Sequence, residues 1–358
     1  MNHQNTTNLF IMGFGRVGQT LVRQILAAQE RHRRPIPDLN VVGLADSRAL
    51  LYRPEGLTIA QIQTALEHKG KGRSLAELDP AHPLTSLDSL LKPGDILVDT
   101  SASPHTLSYL LHAVQKAVGV VLANKIPLCG PWDQAQKLFT HPYLKYEATV
   151  GAGLPVINTL QYLMETGDRL HAITACLSGT LGYLCSRLEE GAPYSQIIRD
   201  AMGLGYTEPD PRQDLGGMDV ARKAVILSRT AGFPIELSDI SIAPLYPTEL
   251  DPHPVDEFLQ LLERVNDEYS DLVGQAVAQR KVPRYTAHIT AEGVQVGLTF
   301  PGKATPLGSL KGPENYMAFQ TNRYADSPLV ISGPGAGLEV TAAGVFGDMI
   351  RLARELKR

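Results

Sequence analysis

The chain has 358 residues, 43% hydrophobic and 20% charged, the balance of a globular protein whose core needs neither disulfides nor a structural metal. With 33 Lys and Arg against 37 Asp and Glu, the net charge of −4 excludes the electrostatic footprint of a nucleic-acid binder or of a protein held on an anionic membrane. Cys129, Cys176 and Cys185 show no CxxC spacing, no run approaches the roughly 18 apolar residues of a membrane span, and MNHQNTTNLF lacks the regions of a signal peptide, so a reducing, cytoplasmic location is expected.

The first ~150 residues alternate short apolar runs with helical patterns, which predicts a parallel sheet with crossover helices. The run Leu9 to Met12 is the first strand, and Val17, Leu21, Val22, Ile25 and Leu26 then recur on one helical face. Arg31-His32-Arg33-Arg34, beside Pro35 and Pro37, reads as a solvated loop. Strands are predicted at Val41 to Ala45, Asp95 to Asp99, Gly119 to Leu122 and Tyr146 to Val150. Between Ser47 and Leu84 the pattern is weak and charged, which predicts a mobile excursion near the active site rather than core. Beyond Leu154 the pattern changes to a strand at Ala172 to Leu177 and helices at Leu181–Glu190, Tyr194–Met202, Asp219–Ala231 and Val255–Arg264. From Val282 to Thr321 the chain reads as antiparallel strands, with Tyr285–Ala291 and Val294–Phe300 separated by the turn signal Glu292-Gly293. The tail, Val340 to Leu356, returns to helix.

Gly13-Phe14-Gly15-Arg16-Val17-Gly18 fits G-x-G-x-x-G between a strand and a helix. Its glycines permit a tight turn, close approach of a pyrophosphate and close helix–strand packing, while the helix N-terminus offers free N–H groups to the anion. This places a Rossmann-type domain at the start of an α/β chain. Asp46, 33 positions after Gly13, stands where a ribose-binding carboxylate belongs, the extra distance being an insertion over Arg31 to Asn40. Ser47 and Arg48 follow at once and suit a 2′-phosphate instead, so NAD and NADP both remain open. Thr100-Ser101-Ala102-Ser103 and Asn124-Lys125 each follow a strand's carboxyl end, where open α/β sheets bind ligands, and Pro127 shapes the turn after Lys125.

The richest segment runs from Ala201 to Lys223, with Glu208, Asp210, Asp214 and Asp219 falling within 12 positions among glycines and prolines. Asp219 and Lys223 are four apart at the start of a helix and emerge on one face. Gly216-Gly217 lets the backbone approach a neighbour closely. Carboxylates suit a substrate ammonium group, and the lysine suits proton transfer to an oxygen.

This segment resembles the signature of homoserine dehydrogenase at Ala201, Gly205, Tyr206-Thr207, Asp210-Pro211, Asp214-Leu215, Gly217, Asp219 and Lys223. The resemblance extends to GFGRVG, Asn124-Lys125-Ile126-Pro127, Tyr146 to Pro155, Leu177-Ser178-Gly179-Thr180-Leu181, and Gly335-Ala336-Gly337 with Thr341-Ala342. It implies an NAD- or NADP-dependent oxidoreductase interconverting L-homoserine and L-aspartate 4-semialdehyde, on the route to threonine, methionine and isoleucine. By the same resemblance Glu208, Asp214 and Asp219 would hold the substrate, Thr180, Gly205 and Tyr206 would line its pocket, and Lys125 and Lys223 would flank the reacting oxygen. Lys223 is the expected proton donor, oriented by Asp219, with Lys125 as electrostatic partner or alternative donor. Gly337 would contact the nicotinamide end. A monovalent cation such as sodium would sit near Glu147 and the carbonyls of Val150, Ala152 and Leu154, the alternative for Glu147 being an ordinary strand-end carboxylate.

Two departures from the family pattern follow. The chain ends at Arg358 without the kinase or regulatory domain of many relatives, so threonine feedback through such a domain is not expected. Gly182 stands where Asn often follows Ser-Gly-Thr, which puts local packing in question. His105, His112 and His141 are scattered singly, Ser178-Gly179 forms no nucleophile elbow, and Trp132 reads as a packing anchor. The expected organisation is a dinucleotide-binding domain, 1–153 with 325–358, and an α+β substrate and dimerisation domain, 154–324, with a mixed or antiparallel sheet. The strands from Tyr285 to Thr321 are expected to pair across the two-fold axis of a homodimer. The competing functions are another amino-acid semialdehyde reductase and a catalytically silent dinucleotide sensor.

Overall fold

The computed structural model describes residues 6–30 and 37–357, so the basic loop at 31–34 lies outside the described residues. Backbone contacts group the chain up to Pro155 with Ala336 onward as one unit, and Val156–Gly335 as another. The return to the first unit therefore falls at 336 rather than 325, because residues 329–334 form a strand of the second unit's sheet.

The first unit is built on β1 (Thr6–Met12), β2 (Asp38–Ala45), β3 (Ala49–Tyr52), β4 (Ala81–Pro83), β5 (Ile96–Asp99), β6 (Gly119–Leu122) and β7 (Leu144–Lys145), in the order β4-β3-β2-β1-β5-β6-β7. From β2 to β7 neighbouring strands are parallel, as the apolar runs joined by helices predict. Both faces are covered, which is why β5 and β6 are buried at every position. The helix Arg16–Glu30 puts Leu21, Val22 and Ile25 into the core, where Val345, Met349 and Leu352 of the helix Leu338–Glu355 join them. Each such side chain contributes about 1.5–3 kcal/mol by burial.

Two expectations are corrected here. The excursion from Ser47 to Leu84 is not outside the core: β3 and β4 extend the sheet antiparallel, and Leu50, Leu51, Ile62, Ala65 and Leu75 are buried. Strands of three and four residues are too short to show alternation, and the polar residues of the helix Ile59–Gly70 mask its inward positions, Ile62 and Ala65. Tyr146 to Val150 is not a strand. The strand there is Leu144–Lys145, and Glu147–Thr149 is a 3-10 turn closed by the Thr149 amide and hydroxyl, both donating to the Tyr146 carbonyl. A segment buried along its whole length reads as strand whatever its backbone does.

The second unit contains β8 (Leu170–Cys176), β9 (Ser241–Ile242), β10 (Arg284–Thr290), β11 (Gly293–Thr299), β12 (Glu314–Thr321) and β13 (Leu329–Pro334), in the order β13-β12-β8-β10-β11-β9. All pairs are antiparallel except β9 with β11. The β10–β11 hairpin pairs Thr290 with Gly293, so its turn residues are Ala291 and Glu292. The predicted helices are present at Gly179–Glu189, Tyr194–Gly203, Met218–Thr230 and Val255–Leu261, and two more stand at Val156–Glu165 and Asn266–Ala278. Strands β10 and β12 lie inside the sheet; its long edge strand is β13, and β11 is paired on its outer side only at Gln295 and Val296, with β9.

Arg284 closes this unit. Its buried guanidinium donates to the carbonyls of Pro283, Gly308 and Leu310 at 2.7 Å each and pairs with Glu189 at 3.1 Å. Arg284→Met should therefore cost about 3–5 kcal/mol in urea unfolding, since it takes the donor from three carbonyls and leaves Glu189 the exposed Lys303 in place of a buried guanidinium; a loss below about 1 kcal/mol would contradict this role.

Candidate active site

The strand ends of the first unit converge on the glycine turn. Gly13 has φ +80°, and a Cβ there would lie 2.4 Å from the Ser101 nitrogen, so only glycine fits. A Cβ on Gly18 would lie 2.7 Å from the Gly13 carbonyl and 2.9 Å from Thr100 Oγ1. Around Gly15, by contrast, the nearest atom is the Gly13 carbonyl at 3.9 Å, which leaves this backbone open to a ligand. Turn, approach and packing are thus divided among the three glycines as a pyrophosphate site requires. Phe14 is buried, so its contribution is its backbone, while Arg16 is exposed at the start of the helix and Val17 is half-buried.

A cavity of about 440 Å³ opens beside the turn, lined by residues 12–15, 45–47, 100–103, Lys69, Leu84, His105, Thr106 and Tyr109. Asp46, Ser47 and the Thr100–Ala102 loop thus meet as expected. Lys69, Leu84 and Tyr109 join them without a motif of their own; the first two come from the Ser47–Leu84 excursion, which does reach the site as expected although it is part of the core.

Asp46 does not stand free to receive a ribose. One carboxylate oxygen accepts the amides of Arg48 (2.9 Å) and Ala49 (3.1 Å), and the other accepts Lys69 Nζ (3.0 Å), Ser74 Oγ (3.2 Å) and the Leu75 amide (2.8 Å). Burial alone would raise its pKa, but the amides of Leu75 and Arg48 and the Lys69 ammonium outweigh that and hold it at about 2. Arg48 and Ser47 are exposed beside it.

Asn124 is similarly committed. Its buried Nδ2 lies within hydrogen-bond distance of Asp99 Oδ2 (3.0 Å), the Ser103 carbonyl (2.8 Å), Thr106 Oγ1 (3.2 Å) and Ser101 Oγ (3.3 Å), and its Oδ1 accepts the Ile126 amide at 3.1 Å. Lys125 begins the short helix Ile126–Cys129 immediately after it.

Glu147 is buried, its amide donates to Asp348 Oδ2 at 2.8 Å, and its carboxylate lies 3.9 Å from Arg351. Val150 and Ala152 are buried, Ala152 with φ +55°, and the Leu154 amide closes the turn onto Gly151. A carboxylate and main-chain carbonyls are hard oxygen donors, the chemistry that a monovalent cation takes. The Ala152 carbonyl, however, is pressed onto Gly344, where a Cβ would come within 2.4 Å. Gly337, φ +126°, caps the last helix, and its carbonyl accepts the Thr341 hydroxyl at 2.7 Å.

In the second unit, Lys223 is buried in the first turns of its helix. Its Nζ donates to the Leu177 carbonyl at 2.6 Å and to Asp219 Oδ2 at 2.8 Å, so the four-residue spacing holds the ammonium in one place. Gly217 precedes that helix with φ +73°, and a Cβ there would meet the Tyr285 hydroxyl at 2.2 Å. Asp214 Oδ2 accepts the Glu208 amide at 2.8 Å; burial, reinforced by Glu208 and Asp219, raises its pKa despite that bond. Thr180 Oγ1 donates to the Tyr206 carbonyl at 2.6 Å, and the Tyr206 ring meets Tyr183 edge-on at 5.1 Å. Gly205, φ +70°, turns the chain into this loop, where Tyr206 and Glu208 are exposed. Gly182 is explained by packing: a Cβ would lie 2.7 Å from the Gly312 carbonyl, which fills the space a larger residue needs.

A doubly wound sheet with a glycine turn, joined in one chain to a lysine–carboxylate site, is the build of a nicotinamide-dependent oxidoreductase. Residues 13–142 match the family model of the homoserine dehydrogenase NAD-binding domain, and residues 155–350 match that of homoserine dehydrogenase. A homoserine dehydrogenase of Saccharomyces cerevisiae is 32% identical over 98% of this chain and 98% of its own. The bifunctional aspartokinase/homoserine dehydrogenase 1 of Zea mays is 38% identical over 99% of this chain, which spans only 39% of that protein. The solved structure of a hyperthermophilic archaeal homoserine dehydrogenase in complex with NADPH has a similar fold, with a TM-score of 0.74 over 98% of both chains at 24% identity. The chain belongs to the homoserine dehydrogenase family of NAD(P)-dependent oxidoreductases.

The Asp46 cluster generates a stability prediction. Its folded pKa of about 2 lies below the ordinary 3.8, so the stabilisation is present in full above about pH 4 and is lost as pH falls through the folded value. Asp46→Asn should cost about 2–3 kcal/mol at pH 7, and the difference from the native chain should shrink by roughly half at pH 3. Urea unfolding at the two pH values reads this directly, and a difference that grew on acidification would refute it.

Proposed function

We propose that this chain catalyses the reversible NAD(P)-dependent interconversion of L-aspartate 4-semialdehyde and L-homoserine. The observation that carries the reading is the Lys223 ammonium fixed between Asp219 and the Leu177 carbonyl, beside the Glu208–Asp214 loop. The Gly13–Gly18 turn and the Thr100–Ala102 loop would hold a dinucleotide, which would supply or accept a hydride at the substrate carbon. The chain's own residues manage charge and protons. Lys223 donates a proton to the carbonyl oxygen as it becomes a hydroxyl, and takes it back in the oxidising direction. Asp219 holds that ammonium at 2.8 Å and sets its direction. Glu208 and Asp214 receive the substrate's ammonium group, and Thr180 shapes the pocket by holding the Tyr206 backbone. Lys125, after the carboxyl end of β6, is the alternative proton donor. Where a monovalent cation binds, Glu147 and the carbonyls of Val150, Ala152 and Leu154 would hold it and stiffen their turn.

The state of Asp46 favours NADP over NAD. A ribose hydroxyl would have to displace one of five internal donors, whereas Lys69 and the exposed Arg48 offer cations to a 2′-phosphate at the same place. The reading extends to a homodimer whose contact includes β13, the long edge strand, and to a reducing cytoplasm that suits the buried thiols of Cys129, Cys176 and Cys185. Light scattering tests the dimer, and a monomeric mass would count against it.

Steady-state oxidation of NADPH and NADH with L-aspartate 4-semialdehyde tests the reaction. Lys223→Ala should lower kcat by roughly 10²–10⁴-fold. Retention of kcat within a few-fold, with Lys125→Ala abolishing it, would exchange the two roles. Absence of turnover with both cofactors, despite cofactor binding, would favour a silent sensor. For the cofactor, kcat/KM should be higher with NADPH. Lys69→Ala should cut the NADPH value by about 10-fold or more while sparing or improving that for NADH, since it removes a phosphate partner and releases Asp46. A greater loss with NADH would overturn the argument.

A further inference from the structure

Asp99 is a fully buried carboxyl group with no role in the mechanism above. Among the described residues no cation pairs with it; its carboxyl partners are the Ser101 amide at 2.9 Å on Oδ1 and Asn124 Nδ2 at 3.0 Å on Oδ2. A carboxyl group is costly to bury, and one placed without a cation is retained only where its hydrogen bonds are made in full. Both partners lie at functional loops. Ser101 belongs to the segment on which Gly13 packs, and the neighbouring Thr100 hydroxyl donates to the carbonyls of Met12 (3.0 Å) and Gly13 (2.9 Å). Asn124 passes the connection on: its Oδ1 accepts the Ile126 amide, the first residue after Lys125. The main chain repeats the link, with the amides of Ala123 and Asn124 both donating to the Asp99 carbonyl.

We propose that Asp99, acting through Asn124, is a positioning residue that holds the Lys125 turn in register with the phosphate-binding turn. This rests on the reading that the cavity takes the dinucleotide and that Lys125 works at the reacting end. Chemistry makes the pair specific. Both groups facing Asp99 are donors, so both of its oxygens must accept. A carboxamide of the same shape presents one acceptor and one donor, and in either rotamer one N–H faces another N–H.

Asp99→Asn is therefore the test, read against the native enzyme, whose own NADPH binding and turnover decide the parent reading separately. In the folded variant, the Kd for NADPH should rise about tenfold by fluorescence titration, and kcat at saturating NADPH should fall about tenfold. The two effects report the two ends of the linkage, cavity and lysine. A lower Tm with both constants unchanged would show a merely structural role, and a change in only one of them would show that no linkage exists; either overturns the proposal. Should the variant fail to fold, hydrogen exchange on the native enzyme keeps the question open to decision. Addition of NADPH should slow exchange in peptides covering 96–106 and 120–130 together. Slowing confined to 96–106 would overturn the linkage.

Discussion

The parallel register of β1, β2, β5 and β6 is the constraint on which the first unit's chemistry depends. Met12 lies opposite both Ala45 and Asp99, and Asp99 lies opposite Leu122, so these strands end in one row. Whatever follows each end is delivered to the same edge: Gly13, Asp46, Thr100 and, one residue further, Asn124. A slip of one residue in β5 would turn Asp99 to the other face and withdraw the Thr100 hydroxyl from the Gly13 carbonyl. The hydrophobic runs secure that register because both faces of these strands are buried. The site is thus a by-product of core packing, and the polar residues beyond the strand ends need only short loops to reach their places.

The second unit uses a different device. Its key cation is held within one helix and one strand end, by an i,i+4 carboxylate and a carbonyl at the close of β8. Two absences of a side chain make this arrangement possible. Gly217 lets the helix begin against Tyr285, and Gly182 admits the Gly312 carbonyl against the helix whose N-cap is Ser178. At position 182 the absence of a side chain lets the Gly312 carbonyl lie where a Cβ would come within 2.7 Å of it. That is a local trade of side-chain volume for main-chain proximity, and it leaves Thr180 free to hold Tyr206.

The parts of this site legible in the sequence are those whose logic is local. Gly13, Gly15 and Gly18 divide their duties within six residues, and Asp219 and Lys223 meet by helical spacing alone. Periodicity likewise found most strands and helices. What stayed hidden depends on separation along the chain. The partners of Asp46 include Lys69, Ser74 and Leu75, up to 29 positions away, in a stretch whose charge and short strands resemble a loop. Asn124 looked like a ligand contact because it follows a strand end, yet its donors and acceptor turn inward. Asp99 gave no signal, since an acidic residue closing a strand is ordinary until its burial is known.

Asp46 and Asp348 show why residue type and burial do not decide such questions. Both are buried aspartates of the same unit, yet burial lifts Asp348 to about 7 while Asp46 is held at about 2. The difference lies in the supply of donors. Asp46 collects three amides, a hydroxyl and an ammonium, which together exceed what desolvation takes away. Asp348 has the Glu147 amide and Arg351, and it must also face the Glu147 carboxylate, so repulsion adds to burial instead of opposing it. An acid at the end of a cofactor strand is ordinarily taken as a free acceptor, and that inference assumes a carboxylate whose lone pairs look outward. Here the fold fills those lone pairs first. Position along the chain therefore marks where an acid stands, and only its bonds say whether an oxygen is left to accept.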